Sequence, residues 1–110
     1  MLNDKKIKWA TQKEQLGTGH AVLQAESYIN ADTTLILYGD VPLVDKNDLK
    51  KLVDQAHDSI SIMTFVKEDP TGYGRIKRVA NKIVGIVEEK DCDANEKKKT
   101  EINTGIMAVN

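Results

Sequence analysis

The carboxylate best placed for chemistry is Asp40, which follows Gly39 near the end of an apolar run, Leu35-Ile-Leu-Tyr-Gly-Asp-Val-Pro-Leu43. Glycine lets a ligand approach the backbone closely. An aspartate at a strand end suits Mg2+, a hard ion held by few protein carboxylates and completed by water and phosphate oxygens. The same aspartate before Val41-Pro42 also suits a turn or a cap, and the local pattern leaves both open. A second group lies upstream in Gln12-Lys-Glu-Gln-Leu-Gly-Thr-Gly-His20. Gln12 and Gln15 each carry a donor and an acceptor, as the edge of uracil or thymine requires. Gly17, Thr18 and Gly19 form a loop leading into a helix whose free N–H groups suit an anion or a polar ring edge, although a Gly-x-Gly is more often only a tight turn. His20 has no Cys, Asp or second His at ligand spacing and reads as a first-turn helix residue; His57 is given no role. A third group is late. Gly72-Tyr-Gly74 beside Arg75 is either a binding loop or the turn into a hairpin, and Glu88 and Asn103 could each hydrogen-bond a sugar hydroxyl.

The elements that must position these residues follow from periodicity. Ile7 to Thr11 alternates and predicts a short strand, and from His20 the spacing turns helical, with Ala21, Val22, Ala25, Tyr28 and Ile29 on one stripe. Asn30-Ala-Asp32 ends that helix. The apolar run from Leu35 predicts a strand buried on both faces, closed by Pro42, with Asp40 at the carboxyl end where α/β sheets bind ligands. Asp45 predicts an N-cap, with Asp48 in the first turn and Leu49, Leu52, Val53 and Ala56 as the apolar face. Ile60 to Val66 predicts the next strand. This strand-helix-strand-helix order favours a parallel sheet flanked by helices. Asp69-Pro-Thr-Gly-Tyr-Gly74 then breaks the pattern, and Arg75 to Val79 with Lys82 to Glu88 predicts a hairpin. Asp93-Ala-Asn-Glu96 has capping-box spacing, and Ile102 to Val109 predicts a final strand. No linker or repeat divides residues 1–110, which read as one compact unit.

The totals exclude several classes. Sixteen Lys and Arg are offset by 17 Asp and Glu, a net charge of −1 scattered along the chain, which argues against a nucleic-acid surface. Lys97-Lys98-Lys99 reads as a solvated helix end. The lone Cys92 rules out an internal disulfide and Cys-based metal sites, and fits a reducing, cytoplasmic setting. No stretch approaches the ~20 apolar residues of a membrane span, and the N-terminus has no apolar export segment.

Taken together, Gln12-x-x-Gln-Leu-Gly-Thr-Gly-His-Ala21, Leu-Tyr-Gly-Asp-Val-Pro-Leu43, Asp69-Pro-Thr-Gly-Tyr-Gly-Arg75, Ile86-Val-Glu-x-Lys-Asp91 and Glu101-Ile-Asn-Thr-Gly-Ile106 occur in one order. From about Trp9 onward this series closely resembles the uridyltransferase domain of the bacterial bifunctional N-acetylglucosamine-1-phosphate uridyltransferases. The resemblance implies a Rossmann-like α/β nucleotidyltransferase fold with a mixed sheet and flanking helices. It implies that UTP and N-acetylglucosamine 1-phosphate are joined to give UDP-N-acetylglucosamine and pyrophosphate with Mg2+. Carried over by position, Gln12, Gly17 and Thr18 match uridine contacts. Tyr38, Gly39 and Asp40 match nucleotide-sugar contacts around the metal, with Asp40 its ligand, and Gly74, Glu88 and Asn103 match the N-acetylglucosamine contacts.

Departures from the family pattern carry expectations of their own. The family's first strand and Gly-rich loop, whose Arg and later Lys grip the triphosphate, have no counterpart in these residues. Neither do a later metal-site Asn and a C-terminal β-helix through which full-length relatives form homotrimers and transfer acetyl groups. The fold is therefore expected to be incomplete, the chain marginally stable on its own, and its turnover negligible. A non-catalytic nucleotide-sugar-binding or partner-docking module is the competing expectation from another class. A related glucose-1-phosphate uridylyl- or thymidylyltransferase ranks below both.

Overall fold

The computed structural model describes residues 6–39 and 44–110. Asp40, the 41–43 end of the apolar run and residues 1–5 lie outside the described residues. Contacts divide the chain into two units, 1–32 and 33–110.

The first unit holds helix α1, Thr18–Gln24, followed by a 3-10 turn over Glu26–Tyr28. Gly17 at the N-cap has φ 105°, a left-handed backbone that glycine adopts without a Cβ penalty. The predicted helix thus begins two residues early and changes character at Ala25, whose N–H donates to the Val22 carbonyl at 3.0 Å. No residue of α1 is buried. Ile7 to Thr11, predicted as a strand, forms no ladder in the described residues. Alternation supplies a face, but a strand also needs a neighbour to take its backbone groups.

The second unit runs β1 (Thr34–Ile36), α2 (Lys46–Gln55), β2 (Ile60–Val66), β3 (Arg75–Val79), β4 (Lys82–Val87), α3 (Ala94–Lys97) and β5 (Glu101–Val109), with a 3-10 turn at Glu89–Asp91. The predicted helix at Asp45, the strand at Ile60, the hairpin, the capping box and the final strand are all present. Asp45 accepts from the Asn47 N–H at 2.7 Å, and Asp93 and Glu96 exchange capping-box bonds of 2.7 and 3.1 Å.

Every ladder among the described residues is antiparallel, so the adjacent parallel pairing expected from the element order is not found there. β1 and β2 do run in the same direction, as a helical crossover requires, but β5 lies between them. Met107, for instance, pairs with Ile36 on one side and Ile62 on the other. The edge of β5 that carries β1 also takes β3, through Arg75 opposite Ile102. The last strand in sequence is therefore the middle one in space.

Against this sheet α2 packs the face predicted for it. Leu52 and Ala56 are buried with Ile106 and Ala108 of β5, and Leu35, Val44, Leu49, Val53 and Met63 close around them. The Ser61 hydroxyl ties the end of the helix to β2 by donating to the Leu52 carbonyl. The predicted burial of the Leu35 run on both faces is not met in its described part. β1 is three residues long and half-buried, and Leu37 is 50% exposed. In this unit α2 supplies one apolar cover, and Leu37 does not lie under it.

One irregularity matters. Ile62 pairs with Met107 but Thr64 pairs with Asn103, so Met63 faces a bulge of Thr104, Gly105 and Ile106. Side chains replace the lost ladder bonds. The Thr104 hydroxyl donates to the Met63 carbonyl at 2.6 Å and accepts from the Ile106 N–H at 3.2 Å, while the Gly105 N–H donates to Asn103 Oδ1 at 2.9 Å. Gly105 has φ 83°, and a Cβ built there would stand 1.9 Å from Cε2 of Tyr38. Glycine is needed both for the backbone and for the ring.

Gly105→Ala is expected to destabilise the fold by about 2–4 kcal/mol, the sum of a left-handed alanine and an overpacked ring contact. Removing the ring with Tyr38→Ala should shrink that penalty in a double-mutant cycle read by urea unfolding. The two-residue β3–β4 loop offers the opposite case. Ala80 and Asn81 have φ 51° and 66°, a type I′ turn in which Ala80 is the poorly suited residue. Ala80→Asn is expected to raise stability by about 0.5–1 kcal/mol, visible as a thermal midpoint several degrees higher.

Candidate functional site

In the 1–32 unit, two of the three sequence-predicted base-side residues meet directly. Nε2 of Gln12 donates to the Gly17 carbonyl at 3.1 Å and lies 2.9 Å from Nδ1 of His20. Thr18 is the first residue of α1, adjoining Gly17. Gln24 Nε2 donates to the His20 carbonyl at 3.0 Å and sits 3.3 Å from the other ring nitrogen. His20, read from sequence as an ordinary helix residue, is the hub of this network. A Gln eight residues upstream and another four downstream were the available signal.

In the 33–110 unit the late group converges. The Asn103 N–H donates to the Gly74 carbonyl at 2.9 Å, so β5 and the loop before β3 are joined where two of the predicted residues lie. Glu88 comes from the end of β4, and its Oε2 lies 3.4 Å from where a Cβ on Gly74 would stand. Ile86 Cγ2 would be nearer still, at 3.1 Å, so Gly74 is enclosed and any side chain there displaces its neighbours. Beside this point Gly72, Glu88, Glu89 and Lys90 line an open depression of about 620 Å3. Tyr38, whose ring covers Gly105, leads through exposed Gly39 toward Asp40. Asp40 itself lies outside the described residues.

Two residues hold this loop, Arg75, which the sequence sets beside it, and Glu89, to which the sequence gives no role. Glu89 accepts from the Gly72 N–H with one carboxylate oxygen, and its other oxygen is 3.8 Å from Arg75 Nη2. Arg75 is 3% exposed, donates to the Tyr73 carbonyl and, at 3.2 Å, to the Lys97 carbonyl. The loop is thus closed from three sides. Asp69 adds a turn of its own by accepting from the Thr71 hydroxyl at 2.6 Å and the Thr71 N–H at 3.2 Å, bonds that hold its carboxyl below the usual range. The Lys67 ammonium lies 4.7 Å from the centre of the Tyr73 ring, a cation–π contact on the same loop. An arginine opening β3 directly after Gly72-Tyr-Gly74 was the one sequence sign that this turn is anchored from within.

Arg78 has a different task. Its Nε and Nη2 bind both oxygens of Glu101 at 2.7 and 2.8 Å, and the Thr64 hydroxyl adds a third bond at 2.8 Å, linking β3, β5 and β2. These partners, Arg78 first, lower the Glu101 pKa from its ordinary 4.5. Among the described residues no group of three or more His, Cys, Asp or Glu is arranged to hold a metal. Burial raises the Cys92 thiol, whose Sγ lies 3.6 Å from the Val87 carbonyl, so it is no ready nucleophile.

A carboxylate whose folded pKa is depressed contributes stability that is complete above its unfolded value and is lost as pH falls through the folded one. Arg78→Met is therefore expected to lower stability at pH 7 and to cost progressively less below about pH 4.5. Urea unfolding of both proteins at pH 7 and pH 3 reads the difference. An equal penalty at both pH values would contradict this assignment.

Residues 3–108 match the family model described as Nucleotidyl transferase. The chain is also 49% identical over 110 residues to the "Bifunctional protein GlmU" of Ruthia magnifica subsp. Calyptogena magnifica, an alignment that covers 98% of this chain and 24% of that protein. The chain thus spans about a quarter of the length of the curated relative it matches. No helix among the described residues is long and apolar enough to cross a membrane. With its α/β elements, its open sheet and a family match over nearly its whole length, the chain belongs to the nucleotidyl transferase family.

Proposed function

We propose that these residues are the uridine- and sugar-gripping part of a uridyltransferase that joins UTP and N-acetylglucosamine 1-phosphate. The observation that carries the sugar side is the junction of Gly74, Glu88 and Asn103, drawn from three separate segments to one place beside the depression. The family match and the bifunctional relative support the reaction class.

In this reading a phosphate oxygen of the sugar phosphate attacks the α-phosphorus of UTP. A new P–O bond forms, the bond to the bridging oxygen of the β-phosphate breaks, and pyrophosphate departs. The Glu88 carboxylate accepts hydrogen bonds from sugar hydroxyls or the acetamido N–H. Asn103 Oδ1 is engaged by the Gly105 N–H, which leaves the Asn103 amide hydrogens as donors to the sugar. Gly74 has no side chain to block that approach. Gln12, Gly17 and Thr18 meet the uridine, and Tyr38 and Gly39 contact the nucleotide sugar. Asp40 is the residue that would hold Mg2+. A single hard carboxylate, completed by phosphate oxygens and water, is a donor set this ion accepts, and the bound ion supplies neutralisation of phosphate charge.

The 110 residues alone should bind without turning over. Their arginines are Arg75 and Arg78, and both are committed to protein partners. Calorimetry of the chain with UDP-N-acetylglucosamine is expected to show Mg2+-dependent binding that Asp40→Asn makes insensitive to the metal. Glu88→Ala and Asn103→Ala should each weaken UDP-N-acetylglucosamine about tenfold, roughly 1–2 kcal/mol for a lost polar contact, while leaving UDP unchanged. No heat at millimolar nucleotide sugar, or pyrophosphate release from UTP and the sugar phosphate at an ordinary enzymatic rate, would contradict the reading.

A further inference from the structure

The Gln12 carboxamide offers less to a ligand than its composition suggests. A backbone carbonyl can only accept, so the Gln12 atom 3.1 Å from the Gly17 carbonyl is the amide nitrogen. That nitrogen carries two hydrogens. The second meets His20 Nδ1 at 2.9 Å, which requires a lone pair on Nδ1 and the ring proton on Nε2. Both donors of Gln12 are then used inside the protein. Oε1 is the part of the carboxamide with no hydrogen-bond partner among the described residues.

Gln24 bears on the same ring. Its Nε2 is fixed as a nitrogen by the bond of 3.0 Å to the His20 carbonyl, and it stands 3.3 Å from His20 Nε2. Only one ring nitrogen of a neutral imidazole can accept, and the shorter contact, to Gln12, takes it. The Gln24 amide is satisfied by the backbone instead. All these residues lie in the 1–32 unit.

We propose that His20 is a positioning residue for base selection. Its Nδ1 lone pair, together with the Gly17 carbonyl, holds Gln12 so that it presents an acceptor and no donor. This deepens the uridine reading above and rests on it. An acceptor held in this way favours a base whose ring nitrogen carries a hydrogen, as N3 of uracil does. It disfavours cytosine, whose N3 is itself an acceptor and would place two lone pairs face to face. Without the His20 lone pair the carboxamide can rotate and offer N–H instead, and the distinction between the two pyrimidines fades.

The test uses the full chain, its His20→Phe variant, which keeps a ring but removes the acceptor, and His20→Asn, whose side-chain oxygen can take the place of Nδ1. Binding of UTP and CTP is measured by calorimetry. The imidazole 15N shifts of the wild type report which ring nitrogen carries the proton. The expected result is Nδ1 as the accepting ring nitrogen and a UTP preference of at least about tenfold, the scale on which an unpaired polar contact is rejected. His20→Phe should bring the ratio toward one, and His20→Asn should restore it. Loss of packing alone would weaken both nucleotides equally and would not be rescued by Asn. A proton on Nδ1, or a ratio unchanged in His20→Phe, overturns the role given to His20 while leaving the uridine reading in place. A wild-type chain that binds neither nucleotide overturns both.

Discussion

The 33–110 unit depends on the kink in its central strand. β5 has neighbours on both edges, and α2 packs its apolar stripe on the buried Ile106 and Ala108 of the same strand. A regular nine-residue strand would carry one register from end to end. The Thr104–Ile106 bulge instead divides it into a half that pairs with β1 and a half that meets β3. The bulge exists because Gly105 takes φ 83° and because the Tyr38 ring occupies the space of a missing Cβ. Asn103, immediately before it, is turned to two uses at once, its N–H to Gly74 and its Oδ1 to Gly105. The geometry of the proposed sugar contacts is therefore set by backbone conformation in the core, with few exposed charges involved.

Both arginines of the chain, Arg75 and Arg78, are spent on architecture. Glu101 gathers Arg78 and Thr64 into a tie across three strands, and Arg75 is drawn inward to the Tyr73 and Lys97 carbonyls with Glu89 nearby. Arg75 Nε is buried without a hydrogen-bond partner among the described residues, a cost tolerated where the guanidinium closes a loop from inside. Such a loop keeps Gly72 and Gly74 in place before any ligand arrives. Preorganisation of this kind reduces the ordering cost of binding.

Local chemistry was well recorded in the sequence. Asp45, Asp93 and Glu96 cap where their spacing says they should, the Leu49, Leu52, Val53, Ala56 stripe is the buried face of α2, and the Arg75 hairpin forms where turn residues precede it. Long-range placement was not. Nothing in Glu101 to Val109 marks it as the strand that separates β1 from β2, because pairing direction is decided by the whole topology rather than by the pattern of one strand. Ile7 to Thr11 shows the converse, an alternating pattern without a ladder among the described residues. Of the candidate residues, Gly74, Glu88 and Asn103 were legible through motif resemblance, and their convergence came only with the fold. His20 and Glu89 were missed because their importance lies in what they hold rather than in the chemistry of their own side chains.

The proposed sugar site of this nucleotidyl transferase chain is the junction of Gly74, Glu88 and Asn103. The most direct measurement compares amide chemical shifts of the labelled chain titrated with UDP and with UDP-N-acetylglucosamine, two ligands that differ only in the sugar. Shifts unique to UDP-N-acetylglucosamine are expected on Gly72 to Gly74, Glu88 and Asn103. Identical shift patterns for the two ligands, or sugar-specific changes confined to other segments, would contradict it.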